Sequence, residues 1–118
     1  MLTDKEMLEI AKKYLKKMEE EKAQELGQET FNELMIHKTV EKPLGNVYYF
    51  CIKLFYETLD HKYRINATPF LVEKERRRVL HFGTHYDSDQ QYEDYKNGDY
   101  VTSLHSFWYL DEDRYSHK

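Results

Sequence analysis

The sequence predicts an α+β fold in which a mainly antiparallel sheet of four to five strands is packed by an N-terminal helix. Three observations predict it: an apolar stripe with helical spacing opens the chain, several short strand-like segments follow, and short turn-rich links join them. Strands joined by short links pair antiparallel, because a parallel pair needs a crossover of about a dozen residues or more. With 118 residues, no internal repeat and no linker, the chain is expected to form a single domain, residues 1–118.

The first element is predicted as a helix over residues 4–26. Thr3 and Glu6 have the spacing of a capping box, and Gly27 is a suitable residue to end the helix. Apolar residues then recur every three or four positions, which indicates one buried helical face. They are Met7, Ile10, Ala11, Tyr14, Leu15 and Met18.

Two strands are predicted next, over residues 34–41 and 47–56, and a Pro-Leu-Gly-Asn turn at residues 43–46 joins them into a hairpin. The second is expected to be the central strand, because every second residue is apolar or aromatic. Its predicted buried face is formed by Tyr48, Phe50, Ile52, Leu54 and Tyr56.

The remaining elements are shorter. Residues 59–68 are predicted to form a loop, residues 70–73 and 79–82 two strands, and residues 88–97 a second helix that begins after Asp87 or Ser88 and ends at Gly98. Residues 100–110 alternate loosely and are predicted as a last strand. The charged tail, residues 111–118, is expected to be frayed.

Composition and charge exclude several classes of protein. A single cysteine excludes an internal disulfide framework, and the charged N-terminus and short apolar runs argue against a signal peptide or a membrane span. We therefore expect a soluble, cytoplasmic protein. Residues 86–118 carry eight acidic and three basic side chains, whereas residues 43–85 carry four and seven. The acidic third favours a basic partner over nucleic acid.

No catalytic motif is present, so neither enzymatic activity nor a cofactor is expected. His81, His85 and Asp87 are the best metal candidates, but they lack a fourth ligand and strand-end histidines are commoner, so no metal is expected. Cys51 could be a nucleophile, although its apolar neighbours favour a small core residue. The basic run at residues 76–78 could contact phosphate, but a solvated turn is favoured.

Residues 86–100 interleave carboxylates with tyrosines, a composition typical of interfaces with basic partners. An alternative is that Tyr92 and Tyr95 only hold the helix on the sheet. The predicted partner-binding residues are Asp87, Asp89, Tyr92, Glu93, Asp94, Tyr95, Asp99 and Tyr100.

Several motifs resemble the immunity protein 35 family of bacterial polymorphic-toxin systems. They are Gly-Asn-Val-Tyr-Tyr-Phe at residues 45–50, Asn-Ala-Thr-Pro-Phe-Leu-Val-Glu-Lys at residues 66–74, Val-Leu-His-Phe-Gly-Thr at residues 79–84, and the tyrosines nine and twelve residues past Gly83. The resemblance implies a small α+β protein without enzymatic activity. It would neutralise a cognate toxin as a stoichiometric inhibitor, as in contact-dependent growth inhibition. The alternative is a small chaperone-like or stress-related domain that binds apolar segments through its aromatic strand face.

Overall fold

The computed structural model of the chain describes residues 1–65, 67–84, 86–103 and 105–118. Helices and strands follow one another in the order predicted, with additions after the second strand and at the C-terminus. The elements are α1 (Asp4–Glu25), β1 (Leu34–Lys42), β2 (Gly45–Ile52), α2 (Lys53–Thr58), a short 3-10 turn (His61–Tyr63), β3 (Phe70–Glu73), β4 (Arg78–His81), α3 (Ser88–Asn97), β5 (Phe107–Tyr109) and β6 (Arg114–Ser116).

The six strands found among the described residues belong to one sheet, in the order β1-β2-β3-β4-β5-β6, and every neighbouring pair is antiparallel. This meander arises because each strand is hydrogen-bonded to the strand that follows it in the chain. The predicted antiparallel α+β fold is confirmed, with one strand more than the expected maximum of five. β3 and β4 occupy the middle of the sheet, so β2 is an interior strand but not the central one.

The N-terminal helix forms as predicted. Thr3 and Glu6 make both hydrogen bonds of the capping box, which satisfies backbone N–H groups that the first turn cannot pair. Its buried face is continued to Ala23. Within the part of the chain that the structure describes, no helix has both the length and the apolar character needed to cross a membrane.

Side chains of the sheet alternate between two cores. One face packs against α1 and the other lies under α3, so the sheet is covered on both sides. The α1 side buries Tyr48, Phe50, Ile52, Phe70, Val72, Val79 and Trp108, whereas the α3 side buries Val47, Leu71, Leu80, Phe82 and Phe107 together with Tyr92 of the helix.

The turn between β1 and β2 depends on a glycine for steric reasons. A Cβ atom on Gly45 would lie 1.9 Å from the carbonyl oxygen of Val72 on β3. No side chain fits at that separation, so the close approach of β2 to β3 requires glycine here.

The predicted second strand is too long. β2 ends at Ile52, and residues 53–58 turn into α2, where Leu54 and Tyr56 are 40% and 58% exposed. The physical reason is that the backbone beyond Ile52 has no strand to pair with. β1 begins at Leu34, which lies opposite Ile52, and the last hydrogen bond between the two segments runs from the Lys53 N–H to the Glu33 carbonyl. The prediction that Leu54 and Tyr56 are core residues was therefore wrong.

The predictions for the C-terminus also need correction. Of residues 100–110, only Phe107–Tyr109 forms a strand, and Leu104 lies outside the described residues. The tail is not frayed, because β6 pairs with β5. Asp113 lies between these strands and accepts a hydrogen bond from the Trp108 indole at 2.9 Å. It also forms an ion pair with Lys17 of α1 at 2.7 Å. Tertiary contacts thus order a C-terminal segment whose charged composition is typical of a disordered tail.

Candidate functional site

The predicted partner-binding segment contains α3, which starts and ends as the sequence indicates. The Asp87 carboxylate accepts a hydrogen bond from the Gln90 N–H, as an N-cap does. Gly98 closes the helix with φ of 83°, a left-handed conformation that favours glycine. The helix is therefore a fixed platform on which the acidic side chains are displayed.

The inner face of α3 is held to the sheet and to the preceding loop. Tyr92 is only 2% exposed, and its hydroxyl accepts a hydrogen bond from the Leu44 N–H at 3.2 Å. Gln91 is fully buried and exchanges two 2.9 Å hydrogen bonds with the backbone of Gly83. Tyr92 thus holds the helix on the sheet. Tyr92 was predicted to contact a partner, but its buried ring is not available for that contact.

Tyr95 belongs to a buried polar cluster with Arg78, Glu73 and Tyr109. The Arg78 guanidinium forms an ion pair with Glu73 and donates to the hydroxyls of Tyr95 and Tyr109 at 2.7 and 2.8 Å. The Tyr95 hydroxyl in turn donates to Glu73 at 2.6 Å. Each polar group has a partner, as burial demands. This network ties α3 to β3, β4 and β5.

The sequence predicts Arg78 as part of a solvated basic turn, and this prediction is wrong. It lies within β4, it is only 5% exposed, and the Phe107 ring is centred 4.1 Å from its guanidinium carbon. Only Arg76 and Arg77 of the run are exposed. Sequence patterning missed this because an arginine at the start of a strand is normally read as solvated.

Tyr100 is half-buried and faces the same interior. Its ring makes edge contacts with Phe82 and Tyr95, with centroids 6.3 and 6.2 Å apart. Burial raises the pKa of Tyr100. The alternative stated for Tyr92 and Tyr95, packing onto the sheet, is thus what the structure shows, and Tyr100 packs beside them.

Five carboxylates of this region reach the surface, beside the exposed Gln90, Lys96 and Asn97. We call these carboxylates the acidic face: Asp87, Asp89, Glu93, Asp94 and Asp99. Asp87, Asp89 and Asp99 are exposed and the other two are partly exposed. Asp94 accepts hydrogen bonds from the Tyr86 hydroxyl at 2.7 Å and from Gln90 at 2.9 Å, and these bonds lower its pKa. The carboxylate of Asp94 is therefore charged and held in one position.

Tyr86 borders the acidic face, and the sequence did not identify it as a partner-binding residue. It is 37% exposed, and its hydrogen bond to Asp94 raises its pKa to about 12. The feature of the sequence that could have identified Tyr86 is its position at the start of the segment in which tyrosines and carboxylates are interleaved. No sequence pattern distinguishes this tyrosine, which lies outside, from Tyr92, which lies inside.

The acidic residues of the C-terminal third that lie outside the acidic face are neutralised by partners. Asp111 pairs with Arg77, Glu112 with Arg114, and Asp113 with Lys17. On the acidic face, Glu93 pairs with Lys96 at 2.9 Å. The excess negative charge of the C-terminal third is consequently concentrated around α3.

The predicted metal candidates do not converge in the part of the chain that the structure describes. Both ring nitrogens of His81 are engaged, one with the Tyr14 hydroxyl at 2.6 Å and the other with the Thr68 carbonyl at 2.9 Å. Asp87 caps α3, and His85 lies outside the described residues. Among the described residues no group of three or more histidine, cysteine, aspartate or glutamate side chains could hold a metal ion.

Cys51 lies on β2 and is half-buried. Desolvation raises the pKa of its thiol, which disfavours the thiolate that a nucleophile requires. The position therefore agrees with the alternative of a small packing residue.

No family model, curated protein or solved structure matches the chain. The resemblance to the immunity protein 35 family thus rests on the sequence motifs alone.

Proposed function

We propose that this chain is an immunity protein that binds a cognate bacterial toxin through the acidic face and inhibits it stoichiometrically, without catalysis, in the cytoplasm. The observation that carries the proposal is the concentration of carboxylates on one helix whose opposite side is anchored in the core. Because Gln91, Tyr92 and Tyr95 fix α3, a partner would meet charges that are already in position. Preorganised groups lose less entropy on binding than mobile ones do.

A basic nuclease domain is the toxin chemistry that fits this face. An enzyme that cuts nucleic acid presents cations to phosphate groups. Carboxylates on a rigid helix can occupy such a cleft, accelerate association and exclude the substrate. Tyr86, exposed beside Asp94, supplies aromatic contact area of the kind that interfaces favour.

The chaperone-like alternative has less support. It requires the aromatic face of the second strand to meet apolar segments of other proteins. Tyr48, Phe50 and Ile52 on that face are at most 7% exposed and lie in the core beneath α1. Binding through them would require α1 to detach from the sheet.

The test begins with co-expression and pull-down of the product of the gene immediately upstream. The informative variant is the triple substitution Asp89→Asn, Glu93→Gln and Asp94→Asn, in which asparagine retains an oxygen to accept from Tyr86. A matched control neutralises three exposed carboxylates elsewhere with the same change in net charge. These are Glu9→Gln, Glu20→Gln and Glu57→Gln.

At low salt we expect the acidic-face variant to associate with the toxin about tenfold or more slowly, and the control to change far less. The difference should shrink as salt rises, since exposed charges are screened beyond about 8 Å at physiological ionic strength. Equal rates for the two variants would show that the acidic face is not the binding surface. A failure of the wild-type chain to bind or protect against the upstream product would contradict the immunity function itself.

A further inference from the structure

Leu59 combines a strained backbone with an exposed side chain. It ends α2 in the left-handed conformation, with φ of 57°. In this conformation the Cβ atom of a leucine comes too close to the following carbonyl oxygen, and glycine or asparagine is usual. Asp113 has a similar φ, but its carboxylate bonds to Trp108 and Lys17. The Leu59 side chain is 72% exposed and belongs to neither core, so burial within the described part of the chain does not offset its strain. A strained residue at the surface indicates a contact outside the chain.

A second large side chain is exposed beside Leu59. Tyr56 lies one helical turn earlier and is 58% exposed. We call Tyr56 and Leu59 the apolar knob. Two exposed carboxylates, Glu57 and Asp60, flank Leu59 in the chain. An anionic lipid surface would repel these carboxylates, so the knob is suited to an apolar site on a protein and not to a membrane.

An apolar hollow adjoins α2, between the C-terminal half of α1 and the sheet. Phe50 of its lining lies three residues before α2 begins, and Ile65 follows the 3-10 turn after α2. The hollow has a volume of about 510 Å³. The sheet and the loops contribute apolar side chains, and the charged side chains all come from α1. The lining residues are Met18, Glu21, Lys22, Glu25, Phe31, Leu34, Phe50 and Ile65.

The charged groups around the hollow already have partners. Lys22 forms an ion pair with Glu25 at 3.6 Å. Glu21 accepts a hydrogen bond from the Tyr115 hydroxyl at 2.7 Å and lies 3.8 Å from the ammonium group of Lys17. An incoming group therefore need not be charged to satisfy this rim. The unfilled apolar floor favours an uncharged, apolar side chain.

We propose that the chain forms a two-fold dimer in which the apolar knob of each copy fills the apolar hollow of the other. The knob needs an apolar hollow and the hollow needs an apolar side chain, and a second copy supplies both. Because the two features adjoin one another at α2, a single two-fold axis can bring both pairs together. Removal of a leucine and a tyrosine from water then offsets the strain at Leu59.

The inference goes beyond the proposed function. Leu34 and Phe50 of the hollow belong to the core on the α1 side of the sheet, whereas α3 and the acidic face lie on the other side. A dimer of this kind would leave both acidic faces open.

The test compares Leu59→Asn with Val101→Asn. Asparagine tolerates the left-handed conformation, so the first variant removes the apolar side chain without adding strain. Val101 is 84% exposed and provides a matched loss of exposed apolar surface away from the knob. Sedimentation and light scattering of the full-length chain measure association up to about 1 mM. Methyl resonances of ¹³C-labelled methionines locate it, because Met18 lines the hollow and Met7 is fully buried.

We expect the wild-type chain and the Val101 variant to dimerise with a Kd below about 1 mM, and the Met18 methyl resonance to shift with concentration while that of Met7 does not. Leu59→Asn should raise the Kd about tenfold or more, because the burial of a leucine is lost, and should leave the Tm of the dilute monomer no lower than that of the wild type.

A wild-type chain that stays monomeric at about 1 mM, or that binds vesicles of anionic lipid through Leu59 as a monomer, would overturn the proposal. So would open oligomers larger than a dimer, or a dimer in which neither Met18 nor the Leu59 substitution has an effect. A Tm lowered by more than about 4 °C in the dilute Leu59 variant would assign Leu59 to the stability of the monomer instead.

Discussion

At the scale of single residues, His81 shows how a polar side chain is used inside the core. The Thr68 carbonyl can only accept a hydrogen bond, so Nε2 of His81 carries the proton and donates to it at 2.9 Å. Nδ1 then accepts from the Tyr14 hydroxyl at 2.6 Å. The ring is surrounded by Tyr14, Phe50 and Phe70, and desolvation lowers its pKa from 6.5. The imidazole is therefore neutral in the folded protein.

This arrangement predicts a stability that depends on pH between about 7 and 5. As pH falls through 6.5, the unfolded chain takes up a proton at His81 that the folded protein resists, so the free energy of unfolding decreases. His81→Gln should lower stability by about 1–3 kcal/mol at pH 7 through weakened buried hydrogen bonds, and should flatten the dependence on pH. Urea denaturation at several pH values measures both effects.

The control for this prediction is His117→Gln, at an exposed position in the tail. It should leave both the stability and its pH dependence near those of the wild-type protein. If the His81 variant retained the full loss of stability between pH 7 and 5, another group would be responsible for it.

At the scale of elements, the boundary between β2 and α2 separates core from surface within three residues. Ile52 is 3% exposed and packs on the α1 side of the sheet, whereas Leu54 is 40% exposed. Ile52→Ala is expected to cost about 2–5 kcal/mol, because it leaves a cavity among fixed neighbours. Leu54→Ala should cost about 0.5 kcal/mol or less, since Leu54 lies at the surface and its removal leaves no cavity in the core.

Denaturation midpoints of the two variants measure the contrast. An unchanged midpoint for Ile52→Ala would refute its place in the core. A loss for Leu54→Ala as large as that for Ile52→Ala would instead mean that the strand continues beyond Ile52, as the alternation in the sequence suggests.

At the scale of the whole molecule, the C-terminal strand connects the end of the chain to its beginning. Lys17 of α1 pairs with Asp113, and Glu21 accepts a hydrogen bond from Tyr115 at 2.7 Å. β6 also covers the edge of β5, where Trp108 lies in the core. The tail is therefore part of the cooperative structure.

Removal of residues 112–118 should destabilise the whole protein and not only its end. We expect Tm to fall by more than about 4 °C, which corresponds to about 1 kcal/mol or more for a domain of roughly this size. A shorter deletion, residues 117–118, leaves β6 in place and should have a much smaller effect. An unchanged Tm for the longer deletion would mean that the tail adds nothing to the fold.

Contacts between residues that are close in the chain can be predicted from the sequence better than contacts between distant residues. The capping box at Thr3 and Glu6, and the Asp87 and Gly98 caps of α3, involve residues within four positions of their partners. Such signals can be recognised without the fold, and both helices were predicted from them. The same holds for the turn between β1 and β2, although only the structure explains why Gly45 must approach Val72.

The candidate site could be predicted only in part. The sequence by itself determined where negative charge accumulates, because charge is a property of composition. Which side chains are exposed was decided by tertiary structure: a ten-residue helix must bury one side, and that side holds Tyr92 while the carboxylates face water.

What the sequence alone determined about this protein is thus the order of most elements, the antiparallel sheet and the location of its acid. Only the tertiary structure decided the end of β2, the burial of Arg78 and the pairing of β6. Each of these depends on a partner that is distant in the chain or on another element, whether the backbone of β1, the Glu73 carboxylate or the edge of β5. Periodicity describes how a segment prefers to fold, but a strand exists only where another strand completes its hydrogen bonds.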